Sequence, residues 1–244
     1  MIRQLEELAL SAWAPLQTMF VDGWVLRLAD GYTKRANSIN PLYAPHGEVN
    51  AQIQFCEQVY QRRNLPVVFK MTTAVQPAQL DALLAARGYR RDSPTSVQTL
   101  ALPECVPTQV AELAPTLAPE WLADFCRMSG VSAARQPTLR QMLDNSAAEK
   151  CFAVIRRGGK GIACGLGVLQ GEQIGFYDIV TDAAFRNQGY AREVMLNLMR
   201  WGKQNGARHA YLQVMQNNAP ALHLYARLGF TPAYEYWYRI RDAR

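Results

Sequence analysis

The 244 residues predict an α/β (α+β) fold in two lobes. Two observations carry that expectation. The C-terminal half alternates strand-like and helix-like patterns, and the N-terminal half repeats the same order. Gly88-Tyr89 and Gly229-Phe230 stand 141 residues apart, and Leu80 and Leu83 match Ala221 and Leu224 at that offset. Gly47 matches Gly189 at 142. Duplication of a domain explains the offset, with chance similarity as the alternative.

Taken in order, the chain opens on an acidic, amphipathic helix from Leu5 to Trp13. Two strands are expected next, Gly23–Leu28 and Tyr32–Ile39, joined by the turn signal Ala29-Asp30-Gly31. A helix follows with Ile53, Cys56, Val59 and Tyr60 on one face, then the apolar strand Pro66–Met71. A helix carrying Leu80, Leu83 and Leu84 closes on Gly88, and a strand runs near Ser96–Leu102. Two prolines, Pro103 and Pro107, in the stretch Pro103–Ala114 mark a linker, so the expected domains are 1–104 and 105–244.

In the second half, Phe152–Arg156 and Ile162–Leu169 read as strands about a hairpin turn at Gly158-Gly159-Lys160-Gly161. That glycine run lacks the Gly-Lys-Ser/Thr of a P-loop. The run Ile174–Val180 reads as a strand, and Ala191, Val194, Met195, Leu198, Met199 and Gly202 space out one buried helical face. Between them lies Arg186-Asn187-Gln188-Gly189-Tyr190-Ala191. A strand that turns through a glycine into a helix aims unpaired backbone N–H groups at one spot, at the positive end of the helix dipole. Arg186 adds a fixed charge suited to phosphate. An ordinary turn with a surface arginine is the alternative from the loop alone. Then come a strand at Ala210–Val214 and a short helix capped by Asn218, with Pro220 in its first turn and Leu224, Tyr225 and Leu228 along it. Gly229 ends that helix, and Tyr234–Tyr238 is a final aromatic strand.

The R-x-x-G-x-A loop and the N-x-A-x-x-L-Y-x-x-L-G-F block, in this order, resemble the GNAT superfamily of acyl-CoA-dependent N-acyltransferases. The match covers about Phe152 to Ile240, with weaker support back to Val106. The resemblance implies a tandem GNAT-like fold, a mixed twisted central sheet flanked by helices. It also implies transfer of an acetyl group directly from acetyl-CoA to a primary amine, without a metal. A cofactor-binding set follows from it: Arg186, Asn187, Gln188, Gly189, Tyr190, Ala191 and Arg192 at the pyrophosphate, with Ile179, Val180 and Thr181 pairing the pantetheine arm and Asn218 contacting it. Tyr225 matches the family's general acid for the leaving thiolate, against the plainer reading of a core tyrosine. Asp178 is the candidate base, drawn from a strand on which Phe176 and Val180 share its face by alternation; Glu235 is a further candidate. A non-catalytic acyl-CoA-binding module, or an enzyme for a longer acyl-CoA, is the alternative.

The N-terminal copy has lost this chemistry. Ala44 stands at the Arg186 position, Val49 at Ala191 and Leu84 at Tyr225, and Glu48 puts a carboxylate by the loop. That half is expected to be structural and to help form the substrate cleft.

Composition bounds the rest. The formal net charge is +6, but the basic residues are scattered, which argues against nucleic acid and suits a polyanionic cofactor. Five cysteines with no C-x-x-C spacing read as reduced thiols of a cytoplasmic protein, and Cys151 and Cys164 as core. Three histidines form no zinc pattern, with His223 expected in solvent, and no apolar run reaches the length of a membrane span. The resemblance implies acetyl-CoA and a small amine or peptide acceptor as partners, and Glu172 is read as a turn residue.

Overall fold

The computed structural model describes residues 1–243. Its elements are α1 (Ile2–Ala12), β1 (Gln17–Val21), β2 (Trp24–Leu28), β3 (Ile39–Pro41), α2 (Val49–Gln61), β4 (Val67–Thr72), α3 (Leu80–Ala86), β5 (Arg90–Ala101) and β6 (Glu112–Ala114). After these come α4 (Pro119–Ser129), α5 (Gln136–Asn145), β7 (Glu149–Arg157), β8 (Lys160–Gln170), β9 (Gln173–Thr181), α6 (Tyr190–Gln204), β10 (His209–Met215), α7 (Ala219–Arg227) and β11 (Thr231–Arg241). Two compact units result. One holds residues 1–96, 215–217 and the chain from Tyr234; the other holds 97–214 and 218–233. The units are not contiguous in sequence: residues 215–217 and the chain from Tyr234 belong to the first, while 218–233 belong to the second.

In the first unit the strands lie in the order β1, β2, β3, β4, β11 and the first half of β5. β1–β2, β2–β3 and β4–β11 pair antiparallel, whereas β3 and β4 meet in parallel at Ile39 and Phe69. Alternation splits β4 between two faces. Phe69 and Met71 face an apolar core with Trp24, Leu26, Ile53, Tyr60, Leu80 and Leu84. Trp24 meets Phe69 edge-on at 5.8 Å and donates its indole N–H to the Gln76 carbonyl. Lys70 is buried against α1 instead, with Nζ 2.6 Å from Glu6 Oε2 and 4.1 Å from the Tyr236 ring centre. The Tyr234 hydroxyl donates to the other Glu6 oxygen at 2.6 Å. Arg27, also buried, donates to the carbonyls of Leu10, Trp13 and Arg35.

Two sequence expectations change here. Tyr32–Ile39 is not a strand: only Ile39–Pro41 pairs with β2, and the residues between are folded into turns by Asn37. The buried Asn37 carboxamide accepts from the N–H of Ala29 and Gly31, and donates to the Thr33 carbonyl. A side chain that satisfies backbone groups in this way competes with a strand ladder. The edge strand β1 was not anticipated, because its residues are mostly exposed and carry no alternation.

In the second unit the order is the second half of β5, then β10, β9, β8, β7 and β6. β9 and β10 are parallel, and β9–β8, β8–β7 and β7–β6 are antiparallel. The hairpin between β7 and β8 turns at Gly158-Gly159, both at positive φ, as the sequence predicts. The mixed sheet is flanked by helices. α6 packs on β7, β8 and β9 so closely that a Cβ on Gly165 would lie 2.8 Å from Val194 and one on Gly202 2.7 Å from Ile174. Helices α4 and α5 were not foreseen; α4 lays Trp121 on the sheet, its indole donating to the Ala153 carbonyl at 2.9 Å. The proline-rich segment before β6 is fastened to α6. Glu193 accepts from the N–H of Thr108 and Gln109, and Asn197 accepts from Ala111 N–H.

Several carboxylates sit below their ordinary range. Backbone N–H groups hold Asp22 at about 2, and Lys34 with Ser93 holds Asp92 at about 2. Arg239 lowers Asp81, and the N–H groups of Gln109 and Thr108 lower Glu193 in spite of its burial. Such groups bind protons more weakly folded than unfolded, so their stabilisation is full above about pH 4 and is lost as pH falls toward 2. The melting temperature is therefore expected to hold from pH 7 to 5 and to drop below about pH 4. A flat profile to pH 3 would contradict these pairings.

Candidate functional site

The site is built where β9 turns into α6. The ladder between β9 and β10 runs from Gln173 with His209 to Phe176 with Leu212, and both strands continue beyond it. On its other side β9 pairs with β8, where Leu166 faces Tyr177 and Cys164 faces Val180. Asp178 and Ile179 therefore stand opposite Gly165 alone, and Asp178 takes φ +55°. This is a β-bulge, which re-aims side chains and bends the strand. The alternation expected through Phe176, Asp178 and Val180 is broken. Phe176 and Ile179 pack with the α6-side core, while Val180 pairs with Cys164. The Asp178 carboxylate lies near the thiols of Cys126 and Cys164, with Oδ2 buried. Thr181 Oγ1 is buried without a hydrogen-bond partner among the described residues.

Beyond Thr181, Asp182 accepts from Ala184 N–H at 3.1 Å and caps a short turn at residues 183–185. Arg186, Asn187, Gln188 and Gly189 are all exposed. Asn187 has φ +60° and Gly189 φ +86°, and Gly189 is the N-cap of the fifteen-residue helix α6. The first-turn N–H groups of such a helix lack intrahelical acceptors and point outward from its positive end. Among the described residues Arg186 makes no ion pair, whereas Arg192 pairs with Glu193 at 3.0 Å. The Tyr190 ring is buried edge-on to Phe185 beneath the Arg157 guanidinium, which fixes where the helix starts.

The remaining residues fall as follows. Asn218 caps α7, accepting from Ala221 N–H at 3.3 Å. Tyr225 is buried on α7, with its ring 6.0 Å from that of Phe230. Glu235 is exposed and belongs to the first unit, and Glu172 is a turn residue paired with Arg208. Cys151 and Cys164 are buried, and desolvation pushes the Cys151 thiol up to about 12 and Cys164 well above the usual range. Neither forms a thiolate near neutral pH. His223 is exposed. Among the described residues no cluster of metal-ligating side chains occurs, and no helix is long and apolar enough to cross a membrane.

Residues 1–239 match the family model described as "Probable histone acetyltransferase Rv0428c C-terminal". The chain belongs to this GNAT acetyltransferase family. It is 30% identical to an uncharacterized N-acetyltransferase, YobR, of Bacillus subtilis (strain 168), over 98% of each chain. Its fold is that of a GCN5-related N-acetyltransferase from Kribbella flavida, with a TM-score of 0.73 at 13% identity over 98% of this chain and 95% of that one. A tandem GNAT protein from the clavulanic acid biosynthesis pathway superposes with a TM-score of 0.67 at 15% identity, over 98% of this chain and 88% of the other.

Within this GNAT chain the N-terminal loop is occupied from inside. Asp22, on the turn between β1 and β2, accepts from His46 N–H at 2.9 Å, Gly47 N–H at 2.8 Å and His46 Nδ1 at 2.9 Å. These donors belong to the loop that enters α2, as Gly189 belongs to the loop that enters α6. The sequence shows Glu48 beside that loop but not Asp22, which is brought there by a tight turn far away in the chain.

Proposed function

We propose that this chain transfers an acetyl group from acetyl-CoA to a primary amine, with the reaction carried by the second unit. One observation supports this above the others: a left-handed glycine opens α6 beside an arginine that makes no ion pair among the described residues, directly after a bulged strand whose edge continues past its ladder. The N–H groups of Gly189, Tyr190 and Ala191, with Arg186, suit a pyrophosphate. The free edge of β9 at Ile179–Thr181 suits an amide-rich arm added as a strand, and the buried Thr181 hydroxyl is a spare partner for it.

On this reading the amine nitrogen attacks the thioester carbonyl, and the C–S bond breaks as the new C–N bond forms. A proton leaves the amine by way of Asp178, directly or through water, and the Tyr225 phenol gives a proton to the departing sulfur. Holding both reactants in line supplies much of the rate. The same proposal places the chain in the cytoplasm and leaves it without need of a metal.

Release of free CoA thiol with a panel of amines tests the proposal. Tyr225→Phe is expected to lower kcat by about a hundredfold with little change in the acetyl-CoA KM. An unaltered kcat would reduce Tyr225 to packing against Phe230. Tight acetyl-CoA binding with no release on any amine would instead mark a binding module.

A further inference from the structure

The cofactor loop is exposed from Arg186 to Gly189, and its entry hangs on one side chain. Asp182 holds the turn before the loop through Ala184 N–H, while its own N–H donates to the Ile162 carbonyl at 2.8 Å. The outer oxygen of Asp182, Oδ2, is taken by Arg127 of α4, with Lys160 at 3.5 Å. Arg127 is itself fixed. Its other terminal nitrogen donates to the Gly161 carbonyl at 2.6 Å and to Asp124 Oδ1 at 3.0 Å. Asp124 is locked in turn by Arg156 at 2.6 Å and Gly161 N–H at 3.1 Å, against a glycine whose absent Cβ would lie 2.3 Å from that carboxylate. The guanidinium thus spans three acceptors on α4, β8 and the loop entry, a planar fork that an ammonium cannot reproduce.

We propose that Arg127 is a positioning residue for the acyl-CoA loop, acting through Asp182; this rests on the reading of that loop as the pyrophosphate cradle. An unanchored loop must be ordered when the ligand arrives, at a cost in conformational entropy. A loop held beforehand avoids that cost. Neither Arg127 nor Asp182 needs to touch the ligand for its affinity to depend on them.

Titration calorimetry of the full chain with acetyl-CoA, beside melting curves and steady-state kinetics, decides the matter. Arg127→Ala and Asp182→Asn are each expected to weaken acetyl-CoA binding about three- to tenfold, with kcat at saturation held. The double variant is expected to be no weaker than either single one, because both break the same link. Arg127→Lys is expected to recover part of the affinity. Asp182→Asn keeps the size of the side chain and its cap on Ala184, so it stands if Arg127→Ala folds poorly. Arg186→Ala is the reference. If it weakens binding while Arg127→Ala and Asp182→Asn do not, the positioning role is overturned and the cradle stands. If all three bind like the parent, the cradle reading falls and the positioning role falls with it.

Discussion

Gly189→Glu is expected to weaken acetyl-CoA binding by about a hundredfold while the fold persists. Two effects add. At φ +86° any side chain pays a backbone penalty of roughly 1 kcal/mol, which destabilises the loop conformation that cradles the anion. The new carboxylate then faces the pyrophosphate, and like charges a few ångströms apart near a surface repel by about 1–4 kcal/mol. Together these come to about 2–5 kcal/mol, a range that brackets the roughly 2.7 kcal/mol that a hundredfold represents. Nothing lies within 4 Å of a Cβ built on Gly189, so no clash spreads the damage into the unit. Gly189→Ala isolates the backbone part and is expected to cost about fivefold. Calorimetry reads both, and a glutamate variant that binds like the parent would remove the loop from the cofactor site.

The second large effect is on stability. Glu6→Ala leaves the Lys70 ammonium, 4% exposed, without its carboxylate. Removing one partner of a buried ion pair costs about 3–5 kcal/mol, because the remaining charge stays desolvated. The Tyr236 ring 4.1 Å away compensates for little of that. The melting temperature is expected to fall by roughly 10 °C. Glu6→Leu with Lys70→Met removes both charges and is expected to recover most of the loss. A single Glu6→Ala variant that melts within a degree or two of the parent would show that water reaches Lys70.

The parts of the site that were legible in sequence are those specified locally. Gly189 and the apolar spacing from Ala191 to Gly202 lie within one loop and one helix, and so does the cap of Asn218 on Ala221. Asp178 was placed on the right strand, but its direction was misjudged, because the bulge opposite Gly165 depends on register with β8 rather than on the alternation of β9. The 32–39 segment was misread since nothing in its own pattern says that Asn37 turns inward to Ala29 and Gly31. Lys70 is one residue within the apolar run Pro66–Met71, and nothing local announces Glu6, 64 positions earlier, against it. Arg127 and Asp182 meet across 55 positions, and no local rule joins them.

On the proposed reading, Asp22 limits the chain to one equivalent of acyl-CoA. With its carboxyl held at about 2, it stays ionised across the working pH range and remains bonded to the His46 and Gly47 N–H groups. A phosphate approaching that loop meets a resident anion and no arginine, since Ala44 stands where Arg186 does. Duplicated halves would ordinarily suggest two equivalents of acyl-CoA, with the possibility of cooperative saturation. Here a calorimetric titration is expected to end at one equivalent per chain, with a hyperbolic isotherm. A second equivalent would mean that Asp22 had been displaced.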